Sequence, residues 1–261
     1  MRLWYHRPSP MNPDQLIEAQ AMVEALLGTR QLPTSPEHEC AYLPGLTARV
    51  EGFQVDRIDP ELYHALMDRG FRRSGCLVFR PVCPACRECV PLRVPVEVFR
   101  PTRSQRRVLR RNRDLRVTVG APKLTDRKHR MYAAYLDDQH DGTMSRSRRA
   151  LSDFLYDSPV NTLEFCYRLK NRLVAVSIAD RSRAALSSVY VFFDPRFRRR
   201  SLGTFSALWE IDFCRRAGTA FYYLGYYVAG SARMNYKARF RPCEILDPSR
   251  GWVPPAPPEV P

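Results

Sequence analysis

Lysine is nearly absent from this strongly basic chain. Of 42 basic residues among 261, only Lys123, Lys128, Lys170 and Lys237 are lysines, and 27 acidic residues leave a net charge of +15. A field of that size calls for a polyanionic partner, with polyphosphate first and an anionic membrane second. Arginine's planar fork suits phosphate better than an ammonium does. Long apolar runs are also lacking. None approaches the ~18–20 residues of a membrane span, so neither a spanning segment nor a membrane partner is expected. No apolar stretch follows the basic residues of positions 1–10, which is not the pattern of a secretory signal, and a cytoplasmic location is expected. Apolar residues still make up 44% of the chain. That supports a real core, in one large domain or two small ones.

Cysteine is present, in a pattern. The eight are Cys40, Cys76, Cys83, Cys86, Cys89, Cys166, Cys214 and Cys243. With no export signal, disulfides are not needed. Cys166 and Cys214 lie in apolar segments and read as buried thiols. Cys83-Pro-Ala-Cys86-Arg-Glu-Cys89 has the spacing of three iron–sulfur ligands. The position of a fourth local ligand is Leu92, which excludes a ferredoxin-type loop, so a four-ligand site has to recruit Cys40 or Cys76. Zinc and an iron–sulfur cluster both suit thiolates. A reduced thiol cluster or a redox C-x2-C is the alternative.

The cluster runs into Arg100–Arg116, which holds eight arginines and one acid, Asp114. A helix is expected over 104–113, capped by Ser104 or Thr102. Arg103, Arg106, Arg107, Arg110 and Arg113 then fall near one face, with Arg111 beside them, while Val108 and Leu109 turn inward. Crowded like charges repel, so this helix gains from a nucleic-acid backbone, in salt-sensitive binding. A solvated face is the alternative.

Elsewhere, helices are expected over 14–27, over 60–69 (Asp59 as N-cap, Pro60 first, Gly70 as stop) and over 126–138, 146–155 and 203–217. Strands are expected over 76–79, 92–98, 162–169, 172–179, 185–193 and 221–226, with a hairpin at Lys170-Asn171. A break near Gly120 marks a boundary. The chain divides into a variable N-terminal segment (1–36), a cysteine- and arginine-rich region (37–120), a C-terminal domain (121–250) and a proline-rich tail (251–261). His140 is a lone histidine and reads as structural. Tyr222, Tyr223, Tyr226, Tyr227 and Tyr236 cluster, and Tyr226 follows Gly225 where a strand ends and catalytic loops commonly start.

Hairpin, strand, glycine-containing loop, helix, strand is the order of an N-acyltransferase (GNAT-like) core. The fold class is therefore α+β: a GNAT-like domain with a mixed sheet flanked by helices, preceded by a smaller cysteine-containing α+β region. GNAT enzymes cradle acyl-CoA pyrophosphate on a glycine loop at a helix N-terminus. Here Arg198-Arg-Arg-Ser-Leu-Gly203 has one glycine where two are usual, which suggests an acyl donor other than CoA.

Several segments resemble one family in order along the chain. They are 40–49 (CAYLPGLTAR), 70–75 (GFRRSG), the Cys83–Cys89 cluster, 91–95 (PLRVP), 104–107 (SQRR) and 110–112 (RRN). Then come 192–195 (FFDP), 201–204 (SLGT), 223–226 (YLGY) and 234–237 (MNYK) with Phe240. Together they resemble the aminoacyl-tRNA–protein transferases, and the short length is that of the bacterial, leucine-transferring branch. Eukaryotic relatives have a second cysteine where Leu43 stands. Gln139-His140 replaces Arg-His, and Cys76 lies outside the pattern.

The resemblance implies transfer of leucine from leucyl-tRNA to the N-terminal amine of proteins beginning with Asp or Glu, which marks them for N-degron degradation. An arginyl-tRNA-dependent transferase and a CoA-dependent N-acetyltransferase are the alternatives, with a non-catalytic RNA- or metal-binding regulator as a third class. An aminoacyl ester is already activated, so positioning supplies much of the rate, and no cofactor is required for the chemistry. The expected assignments are Tyr226, Asn235 and Lys237 as catalytic residues and Arg72, Arg73 and Arg239 for the acceptor carboxylate. The arginines of 103–113 are expected to bind tRNA. Cys40, Cys83, Cys86 and Cys89 are the potential ligands of a zinc ion or iron–sulfur cluster.

Overall fold

A computed structural model describes residues 13–29, 31–139 and 144–255. His140 and the end of the proline-rich tail lie outside the described residues, as do residues 1–12 of the N-terminal segment. The elements in chain order are α1 (Pro13–Thr29), β1 (His38–Glu39), β2 (Thr47–Ala48), β3 (Val50–Gln54), α2 (Pro60–Asp68), β4 (Arg72–Ser74), β5 (Leu77–Pro81) and β6 (Val90–Pro95). There follow α3 (Arg103–Arg111), β7 (Leu115–Gly120), α4 (Asp126–Gln139), α5 (Arg148–Leu151) and a π-helical turn over Ser152–Tyr156. Then come β8 (Thr162–Leu169), β9 (Arg172–Arg181), β10 (Ala185–Phe193), a 3-10 turn over Pro195–Arg200, α6 (Leu202–Ala217) and β11 (Phe221–Tyr227). A 3-10 turn over Asn235–Arg239, β12 (Glu244–Asp247) and β13 (Gly251–Val253) complete the chain.

Eight strands form the main sheet, in the order β13-β12-β6-β11-β10-β9-β8-β7. Every neighbouring pair is antiparallel except β10 and β11. That exception follows from α6, because a helical crossover is what returns the chain parallel to its starting strand. The order is the one expected of a GNAT-like domain. The sheet also draws on both sides of position 120: β6 lies beside β11 and β7 is the far edge. The break read at Gly120 is the end of an edge strand, with Leu115, Val117 and Val119 packed toward the core.

Helices cover both faces. Strand β9 sends Val176 and Ile178 to a core shared with Met131, Tyr132 and Leu136 of α4. Ala179 goes to the other face, where Phe205, Leu208 and Ile211 of α6 pack. Helix α3 lies against α6 with Val108 and Leu109 partly buried, as its sequence predicts. Its cap is Thr102, in a reciprocal capping box with Gln105. Asp59 caps α2, accepting from the Glu61 amide at 2.9 Å.

The smaller sheet, β3-β5-β4, shares a core with α1, α2 and the underside of the main sheet at Ala185 and Tyr223. Its docking is close. A Cβ on Gly75, whose φ is +59, would stand 2.2 Å from the Asp153 carbonyl oxygen, so only glycine fits there. Across the same seam Asp180 accepts from Arg73 Nε and Nη2, each at 2.7 Å, from Tyr63 at 2.9 Å and from Thr162 at 2.7 Å.

Candidate active site

Strands β10 and β11 are paired only at Ala185–Phe221, Leu186–Tyr222 and Ser187–Tyr223. Both then carry irregularities, between Ser188 and Tyr190 on β10 and between Tyr223 and Gly225 on β11. Two parallel strands that part in this way leave backbone groups unpaired at a wedge-shaped mouth, and those groups need partners. Arg72 of β4 supplies them. Its Nη1 donates to Ser187 Oγ at 3.2 Å and its Nη2 donates to the Ser188 carbonyl. The guanidinium lies on Gly225, whose φ is +86, and an added Cβ would meet three of its atoms at 3.1–3.2 Å. Glycine at 225 thus lets the arginine lie against the strand.

Lys237 closes the other side. The helical turn of Asn235–Arg239 buries this amine to 7% exposure, and Nζ donates to the Tyr226 carbonyl at 2.7 Å. Burial, then the Arg72 charge, lower its pKa to about 7, with the neighbouring Cys89 opposing. A lysine in that state is partly neutral at neutral pH and can accept a proton.

Adjacent arginines on β4 have opposite fates, as side chains on a strand alternate. Arg73 points inward, with Nε and Nη2 held by Asp180 and Nη1 buried without a partner; its whole side chain is sealed in the seam, so it is not free for an acceptor. Arg72 is half-buried at the mouth, and no carboxylate pairs with it among the described residues. Arg239 is elsewhere. It is exposed, and its carbonyl accepts from Gln105 of α3 at 3.1 Å. The expected trio is therefore split three ways, with Arg72 alone at the mouth. Tyr226 is buried at the mouth, but its hydroxyl donates to the Gly70 carbonyl at 2.8 Å, and burial pushes its pKa up strongly. Asn235 is exposed at the start of its turn.

The cysteine group borders this mouth. Burial, and then the neighbouring Cys40, Cys83 and Cys86, push the Cys89 thiol up to about 12. The same thiol acts on Tyr42, Tyr226 and Lys237. The four cysteines expected to associate are therefore near one another. Four thiols are a donor set that zinc or an iron–sulfur cluster takes, although among the described residues no group of three or more His, Cys, Asp or Glu is set to hold a metal ion. Two contributors at the mouth went unread in the sequence: Ser187-Ser188 inside a β-strand pattern, and Tyr42, two residues beyond Cys40.

On α3, Arg103, Arg106, Arg107, Arg110 and Arg111 are all exposed, as is Arg113 just beyond it, and none pairs with a carboxylate among the described residues. Arg111 donates to the Arg199 carbonyl at 2.5 Å, and Arg200 grips Asp114 at 2.7 and 2.9 Å. The arginine helix and the Pro195–Arg200 turn are thereby joined into one basic surface, and Gln105 ties the helix to the turn of Asn235–Arg239.

Family models match both halves of the chain: arginine-tRNA-protein transferase N terminus over residues 38–107, and C terminus over residues 127–247. The chain belongs to the arginine-tRNA-protein transferase family. It is an aminoacyl-tRNA–protein transferase. The aspartate/glutamate leucyltransferase of Halorhodospira halophila is 41% identical over 221 residues, 82% of this chain and 93% of that protein. The protein of the same name from Pseudomonas putida KT2440 is 41% identical over 223 residues, covering 83% of this chain and 93% of its own. Among solved structures, a GCN5-related N-acetyltransferase from Kribbella flavida aligns with TM-score 0.37 at 11% identity, over 92% of this chain and 91% of that one. Among the described residues, no helix of this transferase is long and apolar enough to cross a membrane.

Proposed function

We propose that this transferase moves leucine from leucyl-tRNA to the N-terminal amine of proteins beginning with Asp or Glu. On this reading it acts in the cytoplasm, and the added leucine marks those proteins for N-degron degradation. The donor assignment draws on the relatives named above. The acceptor assignment is carried by one observation: Arg72 is a half-buried cation at the mouth with no carboxylate paired to it among the described residues. The side chain of an N-terminal Asp or Glu supplies the missing anion in a charge-assisted hydrogen bond.

That pairing sets the acceptor's α-amine beside Lys237. The amine, with an ordinary pKa of ~8, attacks the ester carbonyl; the new C–N bond forms and the C–O bond to the tRNA ribose breaks. Lys237, with its pKa near 7, takes the amine proton and returns one to the leaving ribose oxygen. Arriving negative charge at Arg72 offsets the guanidinium that holds the Lys237 pKa down, so acceptor binding itself makes the lysine a stronger base. The Tyr226 hydroxyl, already donating to Gly70, shapes the mouth and leaves the oxyanion to backbone amides. The arginines of α3 hold the tRNA backbone.

Leucyl-tRNA and arginyl-tRNA are offered with peptides beginning Asp, Glu or Lys, and the products are weighed. Leucine on Asp and Glu peptides alone is the expected result. Arginine addition would move the donor assignment, and acetyl transfer from acetyl-CoA without tRNA would overturn the reading.

A further inference from the structure

A cavity of about 500 Å³ opens between the arginine helix, the start of α6 and the turn that carries Lys237. Thr102, Ser104 and Val108 of α3 form one wall, Thr204 on the first turn of α6 another, and Tyr236 and Arg239 the third. Gln105, 4% exposed, ties the walls together: its amide donates to the Arg239 carbonyl at 3.1 Å and its side-chain oxygen accepts from the Thr102 amide at 2.8 Å. The cavity is thus a built feature of the α3 contact. Its volume falls in the range of small-molecule sites.

The lining has the chemistry of a nucleoside site. An aromatic face at Tyr236 suits a base. The hydroxyls of Thr102, Ser104 and Thr204 suit a ribose, and the exposed cations of Arg239 and Arg241 suit a phosphate. Single-stranded nucleic acid is held in this way, by a stacked base beside a cationic track. A leucine side chain would use only the apolar part, at Val108 and Phe240. Position agrees with chemistry. The helix that carries the exposed arginines supplies one wall of the cavity, and Tyr236 on another wall belongs to the same short turn as Lys237.

We infer that this cavity receives the 3′-terminal adenosine of the donor tRNA and so delivers the aminoacyl ester to Lys237. The inference rests on the leucyl-tRNA reading above. It gives Arg239 a role on the donor side, away from the acceptor carboxylate.

The probe is 3′-leucylamido-3′-deoxyadenosine, whose amide resists transfer, with binding followed by calorimetry. Three variants are compared with the full-length protein: Val108→Trp, which fills the cavity; Tyr236→Ala, which removes the stacking face; and Arg239→Ala, an exposed change that spares the core. Folding of each is checked by its melting curve. Loss of a stacked base predicts weakening of about 5- to 150-fold for Tyr236→Ala, with no measurable binding for Val108→Trp. The KM for leucyl-tRNA rises in the same order, while the KM for an Asp peptide stays put. Folded variants that bind the probe like the wild type would overturn the inference. So would wild-type protein that transfers leucine yet ignores the probe, and in that case the leucyl-tRNA reading stands. Wild-type protein that transfers no leucine would sink both.

Discussion

Replacing Lys237 with methionine should stabilise the protein and destroy its activity together. The amine is 7% exposed and its pKa falls from 10.5 to about 7. At ~1.36 kcal/mol per pKa unit, the charged form costs roughly 5 kcal/mol. Methionine removes that cost with a similar stem. It also leaves the Tyr226 carbonyl without the 2.7 Å bond from Nζ, which returns roughly 1–3 kcal/mol. The net gain is about 2–4 kcal/mol, or on the order of 5–15 °C in Tm for a chain of this size. Because the folded pKa lies below the unfolded one, the unfolded state binds more protons between them, so wild-type stability rises with pH across that window. The variant's advantage is therefore full below about pH 7 and fades as pH climbs toward 10.5. Urea unfolding of both proteins at pH 6, 8 and 10 measures it. A gap that does not change with pH would refute the buried, depressed amine. In activity, the wild-type kcat/KM should climb with an apparent pKa near 7, the value of the free enzyme, and the variant should lose that limb with most of its kcat.

Three further outcomes follow from other parts of the molecule. Reversing Arg106, Arg107 and Arg110 to Glu should abolish tRNA binding in a filter or polarisation assay while circular dichroism stays native; unchanged affinity would remove α3 from the donor site. Arg73→Met leaves Asp180 buried without its cation and should cost about 3–5 kcal/mol in denaturant unfolding, whereas a near-neutral result would contradict the fastening role of that pair. Glu210 is fully buried against the hydroxyls of Tyr167 and Tyr222, and burial raises its pKa from 4.5 to about 7. Stability from a raised acid is present below the unfolded value and lost as pH rises through the folded one. Glu210→Gln should therefore flatten the wild-type decline between pH 4.5 and 7, by roughly 3 kcal/mol, and an unflattened curve would count against it.

The C-terminal sheet was legible because its signals are local. Strands at Thr162–Leu169 and Ala185–Phe193 fall where the β-branched and aromatic runs put them, and Lys170, at φ +52, turns the hairpin between β8 and β9. The arginine helix was equally readable from its cap and its period. Strand β7 was not, although Leu115, Val117 and Val119 alternate as a strand should, because the run is only six residues long and follows directly on the arginine helix. The site was half legible. Gly70-Phe-Arg-Arg pointed to the right strand, yet which arginine faces the mouth depends on Asp180, 107 residues away. Lys237 was singled out by its motif, but its burial under Arg72 and beside Cys89 is set by three separate segments. Arg239, two residues further on, is claimed by a contact with α3 that no local pattern announces.

The central claim is that Arg72 reads the acceptor's acidic side chain, and peptide discrimination tests it most directly. The kcat/KM for leucine transfer is measured on peptides beginning Asp or Asn, with wild-type protein and Arg72→Ala. Loss of a charge-assisted bond predicts a fall of about 10- to 150-fold on the Asp peptide. The Asp-to-Asn preference should collapse toward one. An Arg72→Ala enzyme that keeps the wild-type preference, however slow, would contradict the account.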